Sequence, residues 1–432
     1  MYIYLSESVK IYNTYERIIL YYKKNNNEIL FEENESGKEI LLLCDGSRTY
    51  EEVVAYILKK NNLEDMMKDD IQRYINHHIK TGVIKMCEKR KHIKIECYDY
   101  SDMVVPSLIS IEITNNCNLR CNHCFNNSGQ NGNGLSWEII KGIIDTASEV
   151  GMPLLYLTGG EPFTHPDIKK ILTYIKGKFL NVTIATNAYN IKNFIEDISE
   201  LENCVLQISI DGLEEKHNYI RGKKDAFKNT IENIKSVVKA GISVCVYFTL
   251  NENNYEDMEK VVQLSKDLGC KAIKIAAVLK IGRAESNGLK YLEEIDYKKI
   301  IDHLAEKYSD EHFSVLNEKI EETVNCSNDC DNYLNKCGGG YRTIYINAKG
   351  YVTICATMQN IVFGDINITS LKSILRNSNL KNSKKIPSPC KALCGDCKHL
   401  IKCNGCIARI FEHTSEECRL QNNEIFKKVY SK

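Results

Sequence analysis

Residues 107–124 read SLISIEITNNCNLRCNHC, an apolar alternating run that ends in three cysteines, Cys117, Cys121 and Cys124, spaced CxxxCxxC. The first half has the period-two pattern of a strand, so the three thiols hang from the loop at its end. Three thiolates can hold three irons of a [4Fe-4S] cube and leave the fourth open to an outside chelator. An open iron signals chemistry rather than electron storage alone.

From Ser107 to about Glu285, strand and helix patterns alternate. Strands are expected near LISIEIT, LLYLTG, NVTIAT, LQISID, VCVYFTL and KAIKIAAV, with five helices between them. That order implies parallel strands with crossovers, hence an α/β fold with a full or partial (β/α)6 barrel. Barrel enzymes build their sites at the C-terminal rim, where the cysteine loop falls.

The next strand ends carry their own signals. GGEP, Gly159 to Pro162, ends the second strand; Thr186 and Asn187 end the third; Ser209, Asp211 and Gly212 end the fourth as SIDG; Arg221 follows in HNYIRG. With CNLRCNHC, these segments resemble the radical S-adenosylmethionine (SAM) superfamily. The resemblance implies a [4Fe-4S] cluster that binds SAM and cleaves it with one electron to a 5′-deoxyadenosyl radical. It implies that Gly159, Gly160, Glu161 and Pro162 bind the methionyl amino group. By the same resemblance Asn187, Ser209 and Asp211 contact the ribose and polar edge of SAM, and Arg221 pairs with its carboxylate. The two glycines are expected to let the backbone approach that ligand closely. His123 stands where the family has an aromatic residue, which weakens the expectation of stacking near adenine.

Nineteen cysteines in 432 residues is far above ordinary usage. Cys44, Cys87, Cys97, Cys204, Cys245 and Cys270 are scattered singly and read as small buried hydrophobes. The others fall into the trio above and a dense C-terminal third. There the hairpin YRTIYINAKGYVTIC, turning at Asn347 to Gly350, is followed by CGDCKHLIKCNGC. This part resembles the SPASM extension of radical SAM peptide-modifying enzymes. The resemblance implies two auxiliary [4Fe-4S] clusters: Cys394, Cys397, Cys403 and Cys418 on one, and Cys337, Cys355 and Cys406 on the other. The gap before Cys406 is one residue shorter than the family's. Cys330 is the best candidate for the missing fourth ligand, with Cys326 and Cys390 as spare thiols. A zinc ribbon is the alternative for the CxxC pairs.

Residues 1–95 form a separate module: strand-like RIILYY and EILF, then helices near SGKEILLLC, TYEEVVAYILKK and DDIQRYINHHIKTGVI. Thr49 and Glu52 make a capping box for the second helix, and Gly82 is placed to stop the third. The module is winged-helix-like. Before such a barrel it resembles the recognition element that holds a precursor's leader peptide as an added strand. The expected organisation is this module, the barrel over 105–285, a charged helical bridge over 286–325 and the SPASM domain over 326–432.

Basic and acidic residues balance at 57 each, so no net field draws a polyanion, and no nucleic-acid or membrane partner is expected. Without a secretion signal or a run of roughly 20 apolar residues, a cytoplasmic place is expected. The implied partners are a precursor peptide, bound through its leader, and an electron donor such as ferredoxin or flavodoxin. The implied reaction is a cross-link, a cysteine thioether in the leading reading, in a ribosomally made peptide. Carbon-carbon or ether cross-linking and epimerisation remain open, as does a non-catalytic iron-sulfur redox regulator. The aspartate that acts as base in anaerobic sulfatase maturases is replaced by Ala356, and no catalytic residue is assigned.

Overall fold

The computed structural model describes residues 1–432 except 25–26, 290–296, 318–336, 398, 401–402, 404–405, 413–417, 425 and 428–432. It divides into two compact units, Met1–Val105 and Pro106–Lys432.

The first unit holds strands β1 (Tyr2–Leu5), β2 (Val9–Thr14), β3 (Arg17–Lys24), β4 (Asn27–Glu33), β5 (Asp45–Thr49), β6 (Ile84–Cys87) and β7 (Glu96–Tyr100). They make two sheets, ordered β5-β1-β6 and β4-β3-β2-β7. Helices α1 (Glu35–Leu43), α2 (Tyr50–Lys60) and α3 (Lys68–Thr81) supply Leu41, Val53 and Ile75 to a core shared with Ile3, Ile11 and Leu20. Sequence patterning finds the three helices and two of the strands. It misses β5, DGSRT, which has no apolar residue and is a strand because Tyr2 and Tyr4 pair with it.

The α2 capping box is present, with Glu52 N–H donating to Thr49 Oγ1 at 3.2 Å and Thr49 N–H to Glu52 Oε2 at 2.8 Å. Gly82 closes α3 at φ 89°, its N–H reaching the carbonyls of His78 and Ile79.

The second unit is built on one ten-stranded sheet, ordered β14-β13-β12-β11-β10-β9-β8-β15-β16-β17. Its parallel run is β8 (Leu108–Glu112), β9 (Leu154–Thr158), β10 (Asn181–Thr186), β11 (Cys204–Ser209), β12 (Ser243–Leu250), β13 (Ala272–Ala277) and β14 (Ser314–Asn317). Between them run α4 (Trp137–Glu149), α5 (Ile168–Ile175), α6 (Ile195–Ser199), α7 (Glu214–Arg221), α8 (Ala226–Lys239), α9 (Met258–Asp267), α10 (Arg283–Ser286) and α11 (Tyr297–Tyr308). This is the sheet of a partial barrel. Alternate strand residues such as Val244, Val246 and Phe248 are fully covered, and Ile140, Ile144, Ile234 and Val237 are buried on the crossover helices.

Two findings differ from the sequence expectation. The bridge over 286–325 contains a strand, β14, too short for its pattern to declare itself. The C-terminal hairpin, β15 (Thr343–Ile346) and β16 (Tyr351–Thr353), is continuous with the barrel sheet, because β15 pairs in parallel with β8. With β17 (Val362–Asp365) it prolongs the sheet past its first strand.

Replacing Thr49 by Ala is expected to weaken α2 by about 1 kcal/mol. Amide hydrogen exchange across Tyr50–Lys60 should then speed up by about fivefold.

Candidate functional site

The site grows from the loop that joins β8 to α4. Its backbone is seated on glycines. A Cβ on Gly159 would lie 2.6 Å from the Thr114 carbonyl oxygen, and one on Gly160 2.5 Å from that of Asn116. Across the loop, a Cβ on Gly222 would meet the Arg120 carbonyl at 2.7 Å and one on Gly282 the Cys124 carbonyl at 2.5 Å. The space left by the missing side chains of Gly159 and Gly160 is therefore filled by the loop itself.

Hydrogen bonds complete the clamp. Gly160 N–H donates to Thr114 O at 2.6 Å and Glu161 N–H to Asn116 O at 2.9 Å. Arg283 donates through Nε to Cys121 O at 2.7 Å, through Nη2 to Ser128 O at 2.8 Å and through its amide to Cys124 O at 2.9 Å. Gly282 and Arg283 escaped the sequence reading; the only signal was a glycine and a cation just past the sixth predicted strand.

This seating brings the three predicted thiols together, with Cys117 and Cys121 buried in one cluster and Cys124 packed against them. Burial pushes the Cys117 thiol up to about 12, and it raises Cys121 against the pull of Arg221. Such thiols keep their protons until a metal cation displaces them.

Predicted polar residues surround the loop. Glu161 is 1% exposed and accepts from Thr186 Oγ1 at 2.7 Å and from the Asn187 amide at 2.8 Å. Burial outweighs these bonds and raises its carboxyl to about 7. Asn187 Nδ2 donates to Asn118 Oδ1 at 2.8 Å and lies 3.9 Å from Cys117 Sγ. Pro162 opens the short turn behind Glu161, and Ser209 ends β11 two residues before Asp211.

Asp211 is fully buried, 2.5 Å from Arg221 Nη2 and 3.8 Å from His123 Nε2, while the Thr249 amide donates to its Oδ1 at 3.0 Å. Burial works to raise Asp211, yet Arg221, His123, His217 and the Thr249 amide together hold it below the usual carboxylate value. Among the described residues Asp211 Oδ2 meets only the Arg221 guanidinium and the His123 ring, and Arg221 Nε has no hydrogen-bond partner. Arg221 Nη1 lies 3.5 Å from Cys121 Sγ. Burial pushes His123 down to about 4 and His217 to about 3, so both rings are neutral beside this pair. His123 thus joins the ion pair under the loop.

Further thiol groups lie in the C-terminal part. Cys406, driven up to about 12 by burial, is within electrostatic reach of Cys337 and Cys355. Cys394, raised by burial, is within reach of Cys390, Cys418 and Cys397. Cys390, expected to be a spare for the other group, therefore sits with this one, where Cys394 N–H donates to its carbonyl at 2.8 Å. Cys403 is buried. Cys326 and Cys330 lie outside the described residues. Among the described residues no three His, Cys, Asp or Glu side chains, the loop trio included, are grouped to hold a single metal ion.

Residues 111–265 match the model of the radical SAM superfamily, and residues 337–398 that of the SPASM iron-sulfur cluster-binding domain. The chain is a radical SAM protein with a SPASM domain. Its cofactors follow: SAM, the [4Fe-4S] cluster that binds it, and auxiliary iron-sulfur clusters. The loop fits them, since three gathered thiols and the orphaned Arg221 Nε, Asp211 Oδ2 and Asn118 Nδ2 leave metal-binding and polar capacity unfilled.

This radical SAM chain is 27% identical over 330 residues to the AdoMet-dependent heme synthase of Methanosarcina barkeri, covering 72% of this chain and 94% of that one. It is 26% identical over 393 residues to AlbA, the antilisterial bacteriocin subtilosin biosynthesis protein of Bacillus subtilis, covering 87% and 85%. Its fold is similar to that of Streptococcus suis SuiB bound to the precursor peptide SuiA, with TM-score 0.68 at 15% identity over 98% of this chain and 100% of that one. Among the described residues no helix is long and apolar enough to cross a membrane.

Gly160→Ala should displace the cysteine loop and lower the iron bound per chain, whereas Gly142→Ala, with nothing within 4 Å of its Cβ, should leave iron and sulfide content unchanged. A second expectation concerns pH. Because the folded Glu161 value, about 7, lies above the ordinary 4.5, the folded state binds the extra proton, so apoprotein stability should fall as pH rises through that window. Glu161→Gln should flatten that slope in urea titrations.

Proposed function

We propose that the protein is a peptide maturase that installs a cross-link, a cysteine thioether in the leading form, in a ribosomally made precursor peptide. The observation that carries this reading is the extent of the AlbA match. It spans 87% of the chain and so reaches beyond Pro106–Lys432 into the N-terminal unit. The likeness to SuiB, solved with its precursor peptide, supports the same reading for residues 1–95 as the leader-binding part.

In this reading Cys117, Cys121 and Cys124 hold the SAM cluster, Glu161 takes the methionyl ammonium, and Arg221 the carboxylate. Asn187, Ser209 and Asp211 meet the ribose and polar edge, and Gly159, Gly160 and Pro162 shape the turn. When bound, the cluster and SAM supply a one-electron cleavage whose carbon radical abstracts hydrogen from the peptide. The residues themselves orient and hold charge. Thr186 and the Asn187 amide aim Glu161, and an ammonium against it draws the carboxyl into its ionised form. Asp211 anchors the Arg221 guanidinium beside Cys121.

Cys394, Cys397, Cys403 and Cys418 would hold one auxiliary cluster, and Cys337, Cys355 and Cys406, with Cys330, the other; such clusters would supply an electron acceptor. A soluble donor such as ferredoxin or flavodoxin reduces the SAM cluster. Leader tethering raises the local concentration of the core peptide, so weak core contacts suffice.

A second reading, tetrapyrrole chemistry, draws on the heme synthase match, which covers 94% of that protein but only 72% of this chain. Anaerobic reconstitution with SAM and dithionite separates the two. SAM cleavage stimulated by a porphyrin and indifferent to cysteine-containing precursor peptides would sink the maturase. In that assay Cys121→Ala should abolish 5′-deoxyadenosine formation, while Cys397→Ala should keep some of it but give no modified peptide. Undiminished turnover in both would overturn the division of roles. The modified peptide should lose two hydrogens per link, and an unchanged mass would favour epimerisation.

A further inference from the structure

Beside the cysteine loop lies a cavity of about 420 Å³ that none of the assigned cofactors explains. It opens between that loop, the end of β8 and the β15–β16 hairpin. Six carboxamides line it: Asn115, Asn126 and Asn133 from the loop, Asn347 from the hairpin turn, and Gln359 and Asn360 from the segment after β16.

The inner carboxamides are held in fixed planes. Gln359 Nε2 donates to Asn126 Oδ1 at 2.6 Å, Asn347 Nδ2 to Gln359 Oε1 at 3.1 Å, and Asn126 Nδ2 to Glu112 Oε1 at 2.9 Å. Glu112, the carboxylate of the lining, is buried and already accepts from Tyr345 Oη at 2.9 Å and from the Ala348 amide at 3.2 Å. Its lone pairs are committed to neutral donors within the protein. Burial also raises its carboxyl, which favours the uncharged form. At the mouth, Asn133, Asn360 and Lys349 are exposed, as are Tyr351 at 39% and Val362 at 47%.

A carboxamide offers the donor and acceptor pair of a peptide bond. Those of Asn126, Asn347 and Gln359 are spent on one another, so Asn133 and Asn360 at the mouth, beside the water-exposed Lys349 and above a buried, engaged carboxylate, offer that pair to an amide-bearing ligand of no net charge. The volume lies within the roughly 300–1,000 Å³ of small-ligand sites, enough for a short segment of chain. Tyr351 and Val362 offer apolar surface for its side chains.

Location sharpens the assignment. Asn126 is two residues past Cys124, and Gln359 Nε2 also donates, at 3.0 Å, to the carbonyl of Ala356, the neighbour of Cys355. A segment in the cavity would lie between the two thiol-bearing stretches. The geometry points to this cavity as a binding site for a short, extended, uncharged stretch of polypeptide main chain. The assignment deepens the maturase reading, on which it rests for the parent of that segment, the core of the precursor.

The test uses the anaerobically reconstituted full chain and a neutral probe, N-acetylglycylglycinamide, by saturation-transfer NMR, with succinate as a charged competitor. Asn133→Trp and Asn360→Trp put bulk at the mouth, and unchanged iron content and circular dichroism confirm that each variant folds. The probe signal should drop at least severalfold in both and withstand succinate. An undiminished signal in both folded variants, or displacement by succinate at equal concentration, would overturn the assignment. Binding is read without turnover, so this result is independent of whether any peptide is modified.

Discussion

The close seating of the Thr114–Cys124 backbone on Gly159, Gly160, Gly222 and Gly282 is the constraint on which the rest of the site depends. Each contact leaves no room for a Cβ, and the four glycines come from three different parts of the barrel rim. Gly159 and Gly160 follow β9, Gly222 follows α7, and Gly282 precedes α10. The sheet must therefore close in its parallel order before the three thiols can gather. Arg283, bonding three carbonyls of the loop, ties the far side of the rim to it.

Under the loop sits a buried ion pair, Asp211 and Arg221, with neutral His123 and His217 beside it. Isolated burial of such charges is costly, and the pair offsets that only in part, since Arg221 Nε and Asp211 Oδ2 keep unfilled hydrogen-bonding capacity. Unfilled polar atoms this deep mark a place that a polar ligand completes. On the other flank, Tyr345 and Ala348 of the hairpin bond Glu112 at the end of β8. That joint makes the cysteine-rich C-terminal part a continuation of the barrel sheet, so its thiols are positioned by the strand next to the cysteine loop.

Much of this was legible in the sequence because the signals are local. The six barrel strands declare themselves by alternation, and Cys117, Cys121, Cys124, Glu161, Asn187 and Asp211 lie in short motifs at strand ends, with Arg221 at the end of the helix after the fourth, all of which the fold gathers on one rim. What escaped depends on partners far along the chain. DGSRT is a strand only through Tyr2 and Tyr4, β15 joins the barrel only through β8, and Gly282 and Arg283 gain meaning only where the sheet brings them to the loop. The missing side chains of Gly159 and Gly160 also make room for the loop, a contact that no local pattern announces. Cys390 reads in the sequence only as a spare thiol, whereas one turn of chain sets its carbonyl against the Cys394 amide.

The central claim is that the seated loop alone supplies a cluster with one open iron that SAM engages. The direct measurement is electron paramagnetic resonance of the dithionite-reduced protein with Cys337, Cys355, Cys394, Cys397, Cys403, Cys406 and Cys418 all changed to alanine, recorded with and without SAM. The account predicts a reduced [4Fe-4S] signal whose shape changes on adding SAM. A signal that SAM leaves unaltered, in a variant that retains its four iron atoms, would contradict it.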